Sequence, residues 1–277
     1  MTFPPDGLAA PQSSGAPDAT LGPCPSCGTP LDGLRACTIC GHVLPDPRIG
    51  TVLAGKYRLD SVLGEGGMGI VYRATHVELG EPLAVKFLKA AWAARPEFRA
   101  RFRREAVILA RLRHPGIVSV LDFGELGGEL YMAMELIAGV ALADVIAKDK
   151  TPIARLRVAP IFDELLAVIE AAHDAGIVHR DLKPENVMLV PAKDRAERVK
   201  VLDFGIAFLA GEEGAQRLTE TGTVRGTPHY MAPEQCKGVH VGPEADIYAV
   251  GIMLFEALTG TTPFDSSGAL GLMVQHM

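Results

Sequence analysis

The spacing of apolar residues predicts where regular structure lies in this chain. Alternating apolar and polar positions over 57–63 and 70–75, joined by a glycine-rich turn, predict a β-hairpin. A third alternating run over 83–88 predicts the next strand. Apolar residues at intervals of three and four then predict a helix over about 96–112. The continuous hydrophobic pattern therefore begins with strands and one helix.

The later part of the chain has a different pattern. Two more runs predict strands at about 118–123 and 130–136, and a short run at 199–202 predicts another. Long apolar-periodic segments at about 153–175 and 244–259 predict helices. Strands plus one helix, followed mainly by helices, predict an α+β protein with two lobes and a cleft between them.

The first part of the chain lacks this periodicity. Residues 1–23 are rich in Pro, Gly, Ala and Ser, and we expect a disordered tail because such a segment buries too little apolar surface to fold. Residues 24–44 form a small cysteine-containing module, and 45–56 are predicted to be a linker. The main domain is predicted over 57–277.

Four of the five cysteines form two Cys-x-x-Cys pairs in the small module: Cys24, Cys27, Cys37 and Cys40. A glycine follows each pair and permits a tight turn. Four thiolates suit a closed tetrahedral Zn²⁺ site, and the module resembles a zinc ribbon. A redox pair and two unrelated disulfides are the alternatives. We expect structural zinc, because so short a stretch with little apolar content needs a metal to fold.

Charge and composition argue against several classes of function. The 27 Lys and Arg residues against 33 Asp and Glu residues give a net charge of -6, which disfavours nucleic-acid binding through a basic surface. No uncharged apolar run approaches the roughly 18 to 20 residues that span a bilayer, and the first residues lack the features of a secretory signal. We expect a cytoplasmic protein, and membrane tethering through a further C-terminal part is left open.

A glycine-rich turn and a strand lysine predict a phosphate-binding region. Gly64, Gly66, Gly69 and Val71 form a G-x-G-x-x-G-x-V pattern between two predicted strands. Because the pattern is followed by a strand and not a helix, we expect a flap whose backbone amides cover phosphates. On the next strand, period-two alternation places Lys86 on the face of the cleft.

A glutamate on the predicted helix tests this arrangement. Glu105 shares one helical stripe with Phe102, Leu109 and Leu112. A buried unpaired carboxylate is costly, so Glu105 should have a cationic partner, and we expect that partner to be Lys86. The alternative is that Glu105 lies at the edge of the stripe and is solvated.

Three further motifs follow in order along the chain. They are His-Arg-Asp-Leu-Lys-Pro-Glu-Asn at 179–186, Asp-Phe-Gly at 203–205 and Gly-Thr-Pro-His-Tyr-Met-Ala-Pro-Glu at 226–234. With Lys86 and the glycine-rich turn, these motifs make the region 57–277 similar to the bacterial Hanks-type serine/threonine protein kinases. The resemblance implies a bilobal kinase fold, with an antiparallel sheet and one helix in the N-lobe and a mainly helical, here incomplete, C-lobe.

The resemblance assigns catalytic and magnesium-binding roles to four residues. Asp181 is implied to accept or orient the proton of the substrate hydroxyl, and Lys183 to stabilise charge on the transferred phosphoryl group. Asn186 and Asp203 are implied ligands of Mg²⁺ or Mn²⁺, because hard cations prefer oxygen. Catalysis is then mainly positioning and charge stabilisation.

The resemblance also implies how ATP is held. Lys86 is implied to bind the α- and β-phosphates and to pair with Glu105. Met134 is similar to a gatekeeper, and Glu135 and Ile137 to hinge residues that bond adenine through their backbones. The residues implied to surround the nucleotide are Leu63, Gly64, Gly66, Gly69, Val71, Ala84, Lys86, Glu105, Met134, Glu135, Ile137, Met188 and Asp203.

Two positions indicate the class of substrate, and a loop indicates regulation. Lys183 and Thr227 resemble the serine/threonine branch, so we expect transfer of the ATP γ-phosphoryl group to Ser or Thr hydroxyls of proteins. Phosphate on the loop after Asp203 would pair with Arg180, although Phe208 stands where many such kinases have a basic residue. The candidate sites of autophosphorylation are Thr219, Thr221 and Thr223.

The end of the chain departs from the family. Residue 277 lies about where a further family helix should begin, and Glu234 would lack the arginine partner that this part supplies in complete kinases. We therefore expect a fragment of a longer protein. Asp246 is retained, and in the family it braces the catalytic loop.

Two other functions compete with an active kinase. A catalytically impaired, truncated kinase could serve as a scaffold that binds partners through its fold and its zinc ribbon. A zinc-dependent nucleic-acid adaptor is disfavoured by the acidic charge. We expect protein substrates as partners, with docking through the ribbon and a kinase homodimer left open.

Overall fold

The computed structural model describes residues 23–29, 39–41, 44–66, 69–149, 153–204, 228–266 and 268–277. Most of the predicted N-terminal tail, Cys37, and the loop with Phe208, Thr219, Thr221, Thr223 and Thr227 therefore lie outside the described residues. No helix in the described ranges is both long enough and apolar enough to cross a membrane.

The N-lobe is built on a six-stranded antiparallel sheet in the order β1-β2-β3-β4-β6-β5. All five strands predicted over 57–136 are present. A short strand that the pattern did not predict, β1, pairs with β2 from within the predicted linker. The strands are β1 (Val52–Leu53), β2 (Tyr57–Glu65), β3 (Gly69–His76), β4 (Pro82–Leu88), β5 (Val120–Leu126) and β6 (Glu129–Glu135).

Two helices follow β4, the short α1 (Ala90–Ala93) and the long α2 (Pro96–Arg111). The second confirms the predicted helix to within one residue and begins with a proline, which suits the first helical turn because its missing N–H has no partner there. Its apolar stripe packs against the sheet and buries Phe98, Phe102, Ala106 and Leu109.

The C-lobe is mainly helical, as the pattern predicted. Its helices are α3 (Leu142–Asp149), α4 (Arg155–Asp174), α5 (Pro233–Lys237), α6 (Glu244–Thr259) and α7 (Ala269–His276). A small antiparallel sheet of β7 (Val140–Ala141), β8 (Val187–Pro191) and β9 (Glu197–Val201) lies below the cleft, and a 3-10 turn, Pro184–Asn186, leads into β8. The α+β, two-lobed fold class is confirmed.

The two faces of the N-lobe sheet are buried in different ways. The inner face, with Ala84 and Met134, continues into the core of the C-lobe. The outer face forms a separate apolar cluster that includes Tyr72, Val85 and Phe87. The predicted alternation along β4 is therefore confirmed, because successive residues of a strand point to opposite faces.

Candidate active site

The glycine-rich turn closes the β2–β3 hairpin above the cleft. The amide of Gly66 donates a hydrogen bond to the carbonyl oxygen of Gly69 at 2.9 Å. A Cβ at position 69 would lie 1.9 Å from the carbonyl oxygen of Phe87, so only glycine permits β3 to approach β4 this closely. Gly64 lies within β2, opposite Val71. The hairpin therefore brings three of the predicted phosphate-binding residues to one edge of the cleft.

Lys86 lies buried at the centre of the cleft, as its strand position predicted. It pairs in register with Val71 on one side and Met132 on the other, and it is 6% exposed. Its Nζ lies 2.7 Å from Oδ1 of Asp203. Burial alone would raise the pKa of Asp203, but the charge and hydrogen bond of Lys86 outweigh it and hold that pKa below its ordinary value.

The predicted ion pair between Lys86 and Glu105 is wrong for this structure. Within the described ranges no ion pair joins these two residues, and a buried side-chain oxygen of Glu105, Oε2, has no hydrogen-bond partner. Burial raises the pKa of Glu105 to about 7, and the positive charges of Arg180, Arg104 and Arg101 lower it only in part.

The physical reason lies in how helix α2 is placed. Helical periodicity correctly predicts that Glu105 faces inward, but it does not determine which element meets that face. Glu105 lines a cavity of about 110 Å³ together with Ile108, Gly176, Arg180 and Phe204. The carboxylate therefore faces the catalytic loop and not strand β4.

The catalytic loop is held from below by one buried aspartate. Asp246, at the start of α6, accepts hydrogen bonds from the backbone amides of His179 and Arg180, both at 2.8 Å. Nε2 of His173 also lies 2.8 Å from Asp246 Oδ2. The ring of His179 is fully buried, with Nε2 2.8 Å from the carbonyl oxygen of Leu202. The expected brace by Asp246 is thus confirmed.

Three polar residues of the loop meet at its tip. Nζ of Lys183 lies 2.9 Å from Oδ2 of Asp181, and Nδ2 of Asn186 donates to the carbonyl oxygen of Asp181 at 2.8 Å. Because the side-chain NH₂ group of Asn186 is used in this way, its side-chain carbonyl oxygen is kept as a ligand for a cation. The backbone of Arg180 (φ 64°) and Asp203 (φ 59°) is left-handed, which is rare for residues with a side chain and is often found at functional sites.

The donor set fits a magnesium ion. The backbone amide of Leu202 donates to the backbone carbonyl oxygen of Asn186 at 2.8 Å, which ties the loop to the segment that carries Asp203. A carboxylate and a carboxamide oxygen are ligands that Mg²⁺ accepts, usually with phosphate oxygens and water completing the shell.

The residues expected around adenine lie on both sides of the cleft. Ala84 and Met134 are buried partners in the register of β4 and β6, and Met188 is half-buried on β8. Ile137 is half-buried just after β6, whereas Leu63 is 51% exposed at the rim. The hinge and the two lobes thus supply an apolar slot beside the polar centre.

Sequence reasoning missed three contacts of the site. The carboxylate of Glu135 forms an ion pair with Lys200 and accepts a hydrogen bond from the amide of Ser119 at 2.8 Å. Gln235 donates to the carbonyl oxygen of Arg180 at 2.7 Å, which connects α5 to the catalytic loop. Alternation along β9 is the local signal for Lys200, since Val199 and Val201 are buried beside it. No pattern in the local sequence predicts the contact between Gln235 and Arg180.

The cysteine module brings three thiols together. The sulfurs of Cys24, Cys27 and Cys40 lie within 4.8 Å of one another, and Cys24 and Cys40 are 3.6 Å apart. Tetrahedral zinc with Zn–S of about 2.3 Å requires sulfurs about 3.8 Å apart, so this spacing fits zinc. Gly28 (φ 74°) and Gly41 (φ 72°) have left-handed backbones after their cysteine pairs, as the turns require.

Similarity to known proteins extends over the same part of the chain. The protein kinase domain family matches residues 57–276. Serine/threonine-protein kinase pkn3 of Myxococcus xanthus is 42% identical over 234 residues, covering 84% of this chain and 43% of its own length. Serine/threonine-protein kinase PknA of Mycobacterium tuberculosis is 41% identical over 237 residues, covering 83% and 53%. This chain therefore spans about half the length of the curated relatives it matches.

Solved structures agree with these matches. The crystal structure of the M. tuberculosis PknI kinase domain superposes with a TM-score of 0.63 at 33% sequence identity. The superposition covers 79% of this chain and 78% of that one.

Proposed function

This chain belongs to the protein kinase family, and on that premise we propose that it transfers the γ-phosphoryl group of ATP to serine and threonine hydroxyls of proteins. One observation carries the proposal. Lys86 forms a salt bridge of 2.7 Å with Asp203, and Asn186 donates a hydrogen bond of 2.8 Å to the backbone of Asp181. The two pairs are connected by the hydrogen bond of 2.8 Å between the backbones of Asn186 and Leu202, the residue before Asp203. A set of groups that can hold phosphates, a cation and a hydroxyl proton is thereby assembled in one place.

Binding of the nucleotide follows from the charges and shape of the cleft. The buried ammonium of Lys86 would bind the α- and β-phosphates, because a cation in a low-dielectric site attracts phosphate strongly. The backbone of the Gly64–Gly69 hairpin would cover the phosphates. Adenine would lie between Ala84 and Met188, with hinge bonds to the backbone of Glu135 and Ile137.

Magnesium would be held by the carboxylate of Asp203 and the side-chain carboxamide oxygen of Asn186. When bound, Mg²⁺ or Mn²⁺ supplies positive charge that neutralises the β- and γ-phosphates and orients them. The residues of the chain prepare this site, since Lys86 keeps Asp203 ionised and the hydrogen bond from Asn186 to the loop orients its carboxamide.

The transfer step is assigned to the tip of the catalytic loop. The substrate hydroxyl oxygen attacks the γ-phosphorus, the bond from that phosphorus to the bridging oxygen breaks, and ADP leaves. Asp181 accepts the hydroxyl proton, and Lys183 stabilises the negative charge of the phosphoryl group in flight. The 2.9 Å contact between the two side chains supports these paired roles.

Two further features belong to the proposal. We propose a structural zinc ion held by Cys24, Cys27, Cys40 and by Cys37, which completes the four-thiolate set in the sequence. We also propose that autophosphorylation of the loop at Thr219, Thr221 or Thr223 regulates activity by pairing with Arg180.

The test is intact mass spectrometry after incubation with Mg²⁺ and ATP, with and without a Ser/Thr-containing protein substrate such as casein. We expect phosphate additions that map to Ser and Thr and that disappear with EDTA and in Asp181→Ala. The matched control is Asp163→Ala, an exposed aspartate on α4, which should behave as the unaltered protein. No additions on a folded protein would overturn the proposal and favour the scaffold function.

A further inference from the structure

The peptide group between Arg180 and Asp181 is held at both of its polar atoms. Its carbonyl oxygen accepts a hydrogen bond from Nε2 of Gln235 at 2.7 Å. Its amide donates to Nδ1 of the buried His179 ring at 3.3 Å, and that nitrogen can accept because Nε2 of the ring faces the Leu202 carbonyl oxygen. Rotation of the peptide group would break both bonds. It would also change φ of Asp181, on which the orientation of that side chain depends.

The backbone of Arg180 needs such support. Its φ of 64° is left-handed, a conformation that costs energy for a residue with a side chain and persists only where the surrounding structure holds it. The amide of Arg180 donates to Asp246 of α6 at 2.8 Å, and its carbonyl oxygen accepts from Gln235 of α5. Two helices therefore hold the two polar backbone atoms of the residue before Asp181.

Both ends of the Gln235 carboxamide are used. Its Oε1 accepts a hydrogen bond from the backbone amide of Ala232 at 2.9 Å, at the start of α5, while its Nε2 donates to Arg180. The reverse orientation would bring two donors together at Ala232 and two acceptors together at Arg180, so only one orientation is favourable. One side chain thus caps α5 and connects it to a loop residue 55 positions earlier in the chain.

The start of α5 is itself firmly placed. Ala232 is fully buried in a small apolar cluster with Val241 and Ala245. Just ahead of it, the hydroxyl of Tyr230 donates to Oε2 of Glu256 on α6 at 2.7 Å. Burial and this hydrogen bond raise the pKa of Tyr230 well above its ordinary value, so the hydroxyl stays protonated as a donor. The Gln235 side chain therefore extends from a fixed support.

From these contacts we infer that Gln235 is a positioning residue for Asp181, which holds the preceding peptide in the orientation that directs the Asp181 carboxylate toward the substrate hydroxyl. The inference rests on the proposed phosphotransfer. Among the described residues, the side-chain hydrogen bonds of Gln235 go to Ala232 and Arg180, and none goes to a residue assigned to the nucleotide. Loss of the Gln235 donor should therefore lower kcat and leave ATP binding unchanged.

Two substitutions separate the bond to the loop from the cap of α5. Gln235→Met removes both hydrogen bonds at a similar side-chain size. Gln235→Glu keeps an oxygen that accepts from Ala232, but at about pH 8 its ionised carboxylate cannot donate to the Arg180 carbonyl oxygen. Lys237→Met is the matched control, because this lysine is exposed on the same helix.

The test measures phosphate transfer to casein at pH about 8 over a range of ATP concentrations, together with the Kd of Mg–ADP. We expect kcat to fall about tenfold or more in both Gln235 variants, because a misplaced catalytic group loses much of its effect. The KM for ATP and the Kd of Mg–ADP should change by less than about twofold. Lys237→Met should keep the kcat of the unaltered protein.

Hydrogen exchange gives a readout that does not depend on activity. Peptides covering 179–186 should exchange faster in both Gln235 variants than in the unaltered protein, and Lys237→Met should match the unaltered protein. If the unaltered protein transfers no phosphate, the proposed function fails, and the exchange data alone decide whether Gln235 holds the loop.

Three results would overturn the inference. An unaltered kcat in Gln235→Glu beside a loss in Gln235→Met would limit the residue to capping α5, and an unaltered kcat in both would remove any role. A fall in kcat accompanied by an equal loss of Mg–ADP affinity in Gln235→Glu would indicate general disruption of the fold. Unchanged exchange over 179–186 in both variants would show that Gln235 does not hold the loop.

Discussion

Lys86 and Asp203 form a salt bridge of 2.7 Å that joins the two lobes at the centre of the cleft. The ammonium of Lys86 is almost fully buried, and it is the group that keeps the pKa of Asp203 low. Glu105 does not share this cation and retains a buried oxygen without a hydrogen-bond partner. Of these two buried carboxyl groups, Asp203 pairs with the lysine and Glu105 faces the catalytic loop.

The unpaired Glu105 predicts a pH dependence of stability. Its pKa is raised from 4.5 to about 7 by burial, so the folded protein binds this proton more tightly than the unfolded chain does. Protonation of Glu105 therefore stabilises the folded state fully below pH 4.5, and this stabilisation is lost as the pH rises through 7. Glu105→Gln should therefore gain stability relative to the unaltered protein between pH 5 and 8, on the order of 2 kcal/mol.

Urea unfolding at pH 5 and pH 8 measures this difference. Glu97→Gln, at an exposed position in the first turn of the same helix, is the control and should show no such gain. Identical pH dependence of stability in Glu105→Gln and the unaltered protein would show that the folded protein does not bury the Glu105 carboxyl group.

Removal of the cleft lysine should abolish activity without unfolding the protein. In Lys86→Met the phosphates lose their buried cation and Asp203 loses the charge that keeps it ionised, so phosphate incorporation should fall by about 100-fold or more. Lys89→Met changes an exposed lysine just beyond the same strand and should leave the rate unchanged. Comparable rates in the two variants would exclude the assigned role of Lys86.

Loss of the brace below the catalytic loop should affect both stability and rate. Asp246→Asn keeps the size of the side chain, but its NH₂ group cannot accept a hydrogen bond from either His179 or Arg180. One buried backbone amide is left unpaired, which should lower the free energy of unfolding by about 1–3 kcal/mol and slow phosphate transfer. Urea unfolding beside the exposed Asp163→Asn measures the effect, and equal stabilities would contradict the brace.

The metal site can be tested by counting zinc atoms per chain. Native mass spectrometry should show one zinc in the unaltered protein and none after Cys24→Ser or Cys37→Ser, because three thiolates hold zinc much less tightly than four. Cys236→Ser is the control, because this half-buried thiol lies in α5 and not in the cysteine module. Burial raises the pKa of this thiol, which disfavours the thiolate that zinc requires. Zinc retained in Cys24→Ser, or lost in Cys236→Ser, would refute the four-cysteine site.

Most of the regular structure could be predicted because periodicity is a local property. The strand predicted at 83–88 and the helix predicted at 96–112 correspond to Pro82–Leu88 and Pro96–Arg111. The position of Lys86 on the inner face of its strand also followed from alternation alone. The strand Val52–Leu53 was missed because two residues are too few to show a period, and it forms only by pairing with β2.

The sequence by itself determined which residues carry the chemistry and on which face of each element they lie, because motifs and periodicities depend on neighbours along the chain. It identified Lys86, Asp181, Asn186 and Asp203 as one functional set. Only the tertiary structure decided that Lys86 meets Asp203 while Glu105 faces the catalytic loop. That choice depends on how α2, β4 and the loop pack together, and packing between elements distant in sequence leaves no local pattern.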